Sequence, residues 1–134
     1  MKSKYLYVNA DTTSGRVSLN ESNVTVNMGG INYDTLHVIS CSLNTIVAVE
    51  TPVVRLLGTE GNSTNLLSGA VVAVLDNVVP TDTVNYAYSS TNLHVCVSDL
   101  GSRQNLTFQF FDAESNPIHI VQLINSFSIL LELY

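Results

Sequence analysis

The residue types best suited to carry chemistry in this chain are the three histidines His37, His94 and His119. An imidazole can move a proton near neutral pH or ligate a metal ion. A metal site needs converging ligands, yet each of these histidines comes from a separate part of the sequence. Each also stands between apolar neighbours, as a residue does on the opposite face of a strand. We therefore expect the histidines to face outward or into an interface, and we predict no metal site and no cofactor.

The carboxylates and possible nucleophiles do not form a catalytic pattern. Asp76, Asp82, Asp99 and Asp112 each end an apolar run, where Asp commonly hydrogen-bonds a turn. Glycoside hydrolysis needs two facing carboxylates, and nothing in the spacing brings two together. The chain has no Gly-x-Ser-x-Gly elbow and no recognisable catalytic cysteine motif. We predict that the protein is not an enzyme and has no catalytic residue.

Two cysteines, Cys41 and Cys96, each lie in an alternating apolar segment. The favoured interpretation is a pair of reduced thiols that act as small core residues. A disulfide that links two strands is the alternative.

Tyrosines give the one indication of a binding surface. Tyr86 and Tyr88 alternate in one segment, as Tyr5 and Tyr7 do in another. Paired tyrosines on one strand face can stack on a sugar or anchor a protein interface. We predict Tyr86 and Tyr88 as ligand or interface contacts, and a half-buried sheet edge is the alternative.

The elements that must position these residues are short β-strands. We predict strands near 3–9, 16–20, 23–28, 35–43, 46–50, 53–58, 70–76, 83–88, 92–98, 105–111, 118–124 and 126–133. In 105–111, for example, Leu106, Phe108 and Phe110 fall on one face. The residues of 114–117 are expected to turn a C-terminal hairpin. The pattern predicts an all-β protein, an antiparallel β-sandwich formed by one domain over residues 1–134.

Composition and charge exclude several classes of partner. The formal net charge is −6, and the five basic residues are scattered along the chain. No basic patch is available to bind a nucleic acid or an anionic membrane surface. The chain has no long apolar segment that could span a bilayer, and no apolar stretch of the kind found in signal peptides follows the basic residues at the start. We expect a protein that begins in a cytosol-like compartment.

The C-terminal pattern resembles a known family. An apolar strand leads to Asp112-x-x-x-Asn-Pro-Ile118, then a strand, then Phe127-Ser-Ile-Leu-Leu-Glu-Leu133. Over Leu106 to Leu133 this is similar to the closing strands of jelly-roll capsid proteins from the virophage and Polinton-like viruses. The resemblance implies a jelly-roll-like sandwich that packs against copies of itself in a virion shell. The family includes penton-type proteins that form pentamers and major capsid proteins that form trimers.

The first hypothesis is therefore a structural virion protein. Its partners would be copies of itself and other virion proteins, assembled in the host cytoplasm as a cyclic trimer or pentamer. The low charged content of 12% suits large, partly polar interfaces. The second hypothesis is a recognition module, such as an attachment-fibre head or a carbohydrate-binding sandwich. Its receptor or glycan would contact Tyr86 and Tyr88 or the polar loop at 58–65.

Overall fold

The computed structural model describes residues 4–9, 16–58, 70–79, 82–89, 96–97, 100–114 and 116–134. Within these ranges the chain forms β-strands and one short helix. The elements are β1 (Lys4–Asn9), β2 (Val17–Leu19), β3 (Asn23–Asn27), β4 (Leu36–Thr45), β5 (Val53–Leu56), β6 (Ala70–Val74), β7 (Asp76–Val79), β8 (Asp82–Ser89), β9 (Cys96–Val97), β10 (Asn105–Phe111), α1 (Ile120–Leu123) and β11 (Ile124–Leu133). None of the helical structure in the described ranges is long and apolar enough to cross a membrane.

The strands form two antiparallel sheets. The six-stranded sheet has the order β1-β11-β4-β8-β7. The sixth strand, β9, pairs with the start of β4, whereas β8 pairs with the later part of β4. The five-stranded sheet has the order β2-β3-β10-β5-β6. The predicted all-β, antiparallel β-sandwich is therefore confirmed.

The strand pairing is nested from the two ends of the chain inward. If the short strands β2 and β9 and the edge strand β7 are set aside, eight strands remain. The first pairs with the last (β1 with β11), the second with the seventh (β3 with β10), the third with the sixth (β4 with β8) and the fourth with the fifth (β5 with β6). A long hairpin rolled into two sheets has this order, which is the strand arrangement of a jelly roll.

The core lies between the two sheets and is built from the alternating apolar positions. In β10, Leu106, Phe108 and Phe110 are all buried, as the period of two predicts. The rings of Phe110 and Phe127 lie 5.7 Å apart between centroids, at an interplanar angle of 58°. This tilted contact joins the two sheets, because one ring belongs to β10 and the other to β11.

A bulge changes which residues of β4 face the core. The register between β4 and β11 shifts at Ile39, which stands between Val38 and Ser40. Leu36 and Val38 are buried before the shift, and Leu43 is buried after it. The inserted residue switches the parity of the inward positions, so both halves of this long strand contribute to one core.

The C-terminal region reverses at the predicted turn, with an antiparallel bridge between Phe111 and Pro117, but it then crosses to the other sheet instead of continuing as a hairpin strand. The Oδ1 atom of Asp112 accepts hydrogen bonds from the backbone N–H groups of Glu114 and Asn116, each at 2.9 Å. This turn ends β10 in the five-stranded sheet, and the chain then enters α1 and β11 of the six-stranded sheet. The predicted strand at 118–124 is wrong, because these residues carry the chain across the end of the sandwich.

Two other strand predictions are corrected and one is only partly described. No strand forms at 46–50, where the chain bends away after β4 ends at Thr45. The segment 70–76 divides at Leu75, whose N–H donates to the carbonyl of Pro52 at 2.9 Å, and its halves join different sheets. Of the predicted strand 92–98, only Cys96–Val97 lies within the described residues.

Candidate functional site

The most exposed aromatic side chains lie on the edge strand β1. Tyr5 is 64% exposed and Tyr7 is 61% exposed. Val8, which points to the opposite face, is only 1% exposed. Among the described residues, β1 pairs with β11 on one side and forms the end of the six-stranded sheet. The sequence therefore places two adjacent aromatic rings on the outer face at an edge.

A cross-strand row of polar side chains orders this edge. Tyr5 lies opposite Glu132 in the β1–β11 register, and Glu132 lies opposite His37 in the β11–β4 register. The Tyr5 hydroxyl donates to Oε2 of Glu132 at 3.2 Å. Nδ1 of His37 lies 3.4 Å from the other carboxylate oxygen, Oε1. The row joins three neighbouring strands, and both carboxylate oxygens of Glu132 take part in it.

The row has an electrostatic consequence for Tyr5. The hydrogen bond to Glu132 and its negative charge raise the pKa of the tyrosine, because ionisation would place two anions side by side. The Tyr5 hydroxyl therefore stays protonated, as its role as a donor requires. The row orders the Tyr5 ring, and the hydroxyl keeps its proton at neutral pH.

A second polar row crosses the same outer face near the other end of β4. Nδ2 of Asn44 donates to Oδ1 of Asn85 at 2.6 Å, and Oδ1 of Asn44 accepts from Nδ2 of Asn125 at 3.1 Å. The Ser42 and Ser128 hydroxyls form a pair at 2.6 Å. We call these five residues the amide ladder. It links β8, β4 and β11 with uncharged groups only.

A cleft lies beside the amide ladder. Its volume is about 300 Å³. It is lined by Ser42, Leu43, Asn44, Val78, Asn85, Tyr86 and Ser126. Val78 on β7 is 59% exposed, so its apolar side chain is accessible at the cleft. The lining residues that the structure describes carry hydroxyl, amide and apolar groups, and none of them is charged.

The two tyrosines predicted as contacts, Tyr86 and Tyr88, are buried and not on the surface. Tyr86 is 2% exposed and Tyr88 is 7% exposed, so the expected exposed pair on β8 is corrected. Their partners on β4 are the buried residues Leu43 and Cys41, which puts both rings on the inner face. The Tyr86 hydroxyl accepts a hydrogen bond from the Val49 N–H at 2.6 Å. Both tyrosines are core residues, although Tyr86 is also among the residues that line the cleft.

The thiol of Cys41 is free and buried, and burial raises its pKa to about 12. A thiol with such a pKa is protonated at neutral pH and is a poor nucleophile. The prediction of a small, reduced core residue is confirmed at Cys41, and the disulfide alternative is wrong for this residue.

The histidines have different environments. His37 is 1% exposed, although its position beside Glu132 places it on the outer face of the strand as alternation predicts. His119 immediately precedes α1 and is partly buried, and its Nδ1 has no hydrogen-bond partner. His94 and most of the predicted loop at 58–65 lie outside the described residues. Within the described ranges, no three His, Cys, Asp or Glu side chains are grouped to hold a metal ion.

Sequence reasoning noted Tyr5 and Tyr7 but missed the amide ladder. Each ladder asparagine is isolated in its own strand, and strand order alone brings them together. The available signal was the high Asn and Ser content of segments predicted as strands, because asparagine is normally depleted in strands. A strand asparagine in such a segment indicates a side chain with a cross-strand partner.

Comparison with known proteins adds no relative to this geometry. No protein-family model matches the chain, no curated protein is similar to it, and no solved structure matches it. Function must therefore be inferred from the fold and from the outer face of the six-stranded sheet.

Proposed function

We propose that this chain is a structural subunit of a viral shell, a jelly roll of penton or capsomer type that assembles with copies of itself. The nested strand order supports the proposal, but jelly rolls also occur in lectins and enzymes. The observation that carries it is the exposed tyrosine pair on the edge strand β1. The resemblance of the C-terminal segment to virophage and Polinton-like capsid proteins supplies the biological setting.

Among the described residues, the β1 edge shows few of the features that keep sheet edges from pairing. Natural edges are protected by charges, prolines, bulges or very short strands. β1 is six residues long and contains no proline, and its register with β11 is continuous from Lys4 to Asn9. Its one charged residue, Lys4, is turned to the carbonyl of Asn32 at 2.8 Å. An edge of this kind favours contact with another protein surface.

The tyrosines themselves suit a protein contact. Tyrosine is enriched at interfaces because it combines a large apolar area with a polar end. The hydrogen bond to Glu132 already restrains Tyr5, so less conformational entropy is lost on association. In a closed ring, this edge would meet a different patch on the neighbouring copy. A trimer or pentamer in the virion, assembled in the host cytoplasm, is the expected product.

Substitution of the edge tyrosines tests this proposal. The Tyr5→Lys/Tyr7→Lys variant adds two charges to β1 without touching the core. If β1 is the contact, we expect sedimentation velocity to show an oligomer for the wild-type chain and a monomer for this variant. Circular dichroism of the monomer should retain the β-sheet spectrum, because both side chains are mostly exposed.

A matched control separates edge contact from a general charge effect. Gln104→Lys/Asn105→Lys adds the same charge at two exposed positions before and at the start of β10. This control is expected to sediment as the wild-type chain does. The proposal fails if the wild-type chain is a monomer, or if both lysine variants assemble equally well.

A recognition module is the second candidate, and the cleft beside the amide ladder favours it. Its volume lies at the lower end of the range for small-molecule sites, which begins at roughly 300 Å³. The cleft is on the same sheet as β1, but none of its described lining residues belongs to β1. Ligand binding and assembly can therefore be tested separately.

A further inference from the structure

We infer that the cleft beside the amide ladder is a binding site for a neutral saccharide. This inference rests on the second candidate function and does not depend on assembly. The site is formed by β4, β7, β8 and the start of β11, and it does not use the tyrosine edge. Its polar side chains are not among the contacts predicted from the sequence, although Tyr86 is one of the lining residues.

The lining favours a ligand without charge. Its polar side chains are two serines and two asparagines, Ser42, Ser126, Asn44 and Asn85. Hydroxyl and amide groups both donate and accept hydrogen bonds, as sugar hydroxyls do. Among the described lining residues, a carboxylate or phosphate ligand would find no cation, and it would approach a protein of net charge −6. An ammonium ligand would find no carboxylate among the same residues to offset its loss of hydration.

The amide ladder holds the polar groups of the cleft in place before a ligand arrives. The Asn44 amide donates to Asn85 and accepts from Asn125, and its Nδ2 also lies 3.4 Å from the carbonyl of Val84. These contacts fix which end of the Asn44 amide is the donor. Groups already ordered in this way lose little freedom on binding.

The hydroxyl pair supplies a further polar contact at the cleft. Ser42 and Ser128 share one hydrogen bond at 2.6 Å, which uses the hydrogen of only one hydroxyl. The hydrogen of the other hydroxyl is not used in that bond, and both oxygens retain lone pairs. Ser42 lines the cleft, so the pair can exchange hydrogen bonds with a polyhydroxylated ligand.

An apolar side of the cleft matches the other half of a sugar. Val78 is 59% exposed and lines the cleft from β7, the strand beyond β8. Leu43 and Tyr86, which also line the cleft, are almost fully buried, so among the described lining residues Val78 is the exposed apolar side chain. A pyranose ring presents C–H groups on its faces and hydroxyls around its rim. The combination of apolar and hydrogen-bonding walls therefore suits a saccharide better than a purely polar ion.

The experiment is a titration of ¹⁵N-labelled full-length protein, followed by NMR. The neutral probes are glucose, galactose, mannose, N-acetylglucosamine, lactose and maltose. The charged probes are glucuronic acid, sialic acid and glucosamine. We expect at least one neutral sugar to give saturable shifts at Ser42, Asn44, Val78 and Asn85, including the side-chain amides. Charged probes are expected to bind at least about tenfold more weakly.

A pair of valine variants localises the binding. Val78→Trp fills the cleft from an exposed position, and Val47→Trp makes the same change at a residue that is 50% exposed and outside the lining. We expect Val78→Trp to weaken sugar binding by about tenfold or more and Val47→Trp to leave it unchanged. The spectrum of each variant without sugar shows that the fold is retained. Asn85→Ala provides a second test at the polar wall of the cleft.

The outcomes separate this inference from the proposed assembly. The inference is overturned if no neutral probe gives saturable shifts, if the shifts map outside the cleft, or if Val78→Trp and Asn85→Ala bind as the wild-type chain does. Equal or tighter binding of the charged probes also overturns it. The mass of the same sample by light scattering reports assembly independently. A monomer that binds sugar would contradict the shell proposal alone. An oligomer that does not bind sugar would contradict this inference alone.

Discussion

The outer faces of the two sheets differ in how far their large side chains are exposed to solvent. On the six-stranded sheet, Tyr5 and Tyr7 remain more than half exposed. On the five-stranded sheet, Phe111 is only 4% exposed and Arg55 only 3%, with the guanidinium carbon 5.3 Å from the centre of the Phe111 ring. One face presents its aromatic rings to solvent, and the other buries an aromatic ring and a cation together.

The difference indicates separate roles for the two faces. A buried guanidinium over an aromatic ring is a stabilising contact within the chain. Exposed tyrosines contribute little to folding and are available to a partner, and a carboxylate orders one of them, Tyr5. Stability should therefore depend on the outer face of the five-stranded sheet, and association on that of the six-stranded sheet. Sequence alternation alone cannot separate them, because each face is the outer side of an alternating strand.

Removing one aromatic ring from each face gives the largest expected contrast. Phe111→Ala should lower the free energy of unfolding by about 3 kcal/mol or more, because it leaves a cavity and removes the ring beneath Arg55. Tyr7→Ala, at a side chain that is 61% exposed, should change it by less than about 0.5 kcal/mol. Urea unfolding followed by fluorescence or circular dichroism measures both. Equal losses would remove the distinction between the faces.

Alkaline pH separates a buried titrating group from one on the surface. The folded-state pKa of the Cys41 thiol is about 12, against an ordinary value of 9.0. Its stabilising contribution is complete below pH 9 and is lost as the pH rises toward 12, by about 1.4 kcal/mol per pH unit. Cys41→Ala should therefore flatten the fall of stability in this range.

Tyr5→Phe is the surface control for that experiment. The pKa of Tyr5 is also raised, but by its hydrogen bond to Glu132 at an exposed site. We expect this variant to keep the alkaline slope of the wild-type chain. Unfolding by urea at several pH values between about 8 and 11 compares the three proteins. If stability falls with pH as steeply in Cys41→Ala as in the wild-type chain, burial of the Cys41 thiol is not the source of that fall.

A smaller contrast compares hydrogen-bonded pairs on the two faces. Asn44→Ala removes the centre of the amide ladder and should lower the free energy of unfolding by about 1–2 kcal/mol. Thr107→Val removes a longer contact, 3.4 Å to Thr25 across two strands of the five-stranded sheet, and should cost about 0.5 kcal/mol or less. Chemical unfolding of both variants measures the difference. An Asn44→Ala protein as stable as Thr107→Val would show that the ladder does not order its face.

The sequence predicted those parts of the structure that depend on local pattern. Alternation located β10 at its observed bounds and placed Leu106, Phe108 and Phe110 in the core. It failed where tertiary register decides the outcome. Asn85 reads as an ordinary polar strand residue until β8 is paired with β4, and only then does it meet Asn44.

The tyrosines show the same limit in the candidate site. Tyr5–Leu6–Tyr7 and Tyr86–Ala87–Tyr88 have the same pattern of alternation in the sequence. In β1 the opposite face, with Val8, is the buried one, so Tyr5 and Tyr7 are exposed. In β8 the tyrosine face is the buried one, because Tyr86 lies opposite the buried Leu43 of β4. Period two gives two possible faces, and strand pairing decides which one is buried. The sequence pattern therefore found both tyrosine pairs, but the pair that it predicted as contacts, Tyr86 and Tyr88, is the buried one.

The shell-building account is tested most directly by the solution mass of the wild-type chain. Light scattering should be measured over a wide range of protein concentration and at low and high salt. The account predicts a discrete trimer or pentamer of the 14.5 kDa chain that persists at high salt, because uncharged tyrosines rather than ion pairs form the contact. A mass of one chain at every concentration would contradict it.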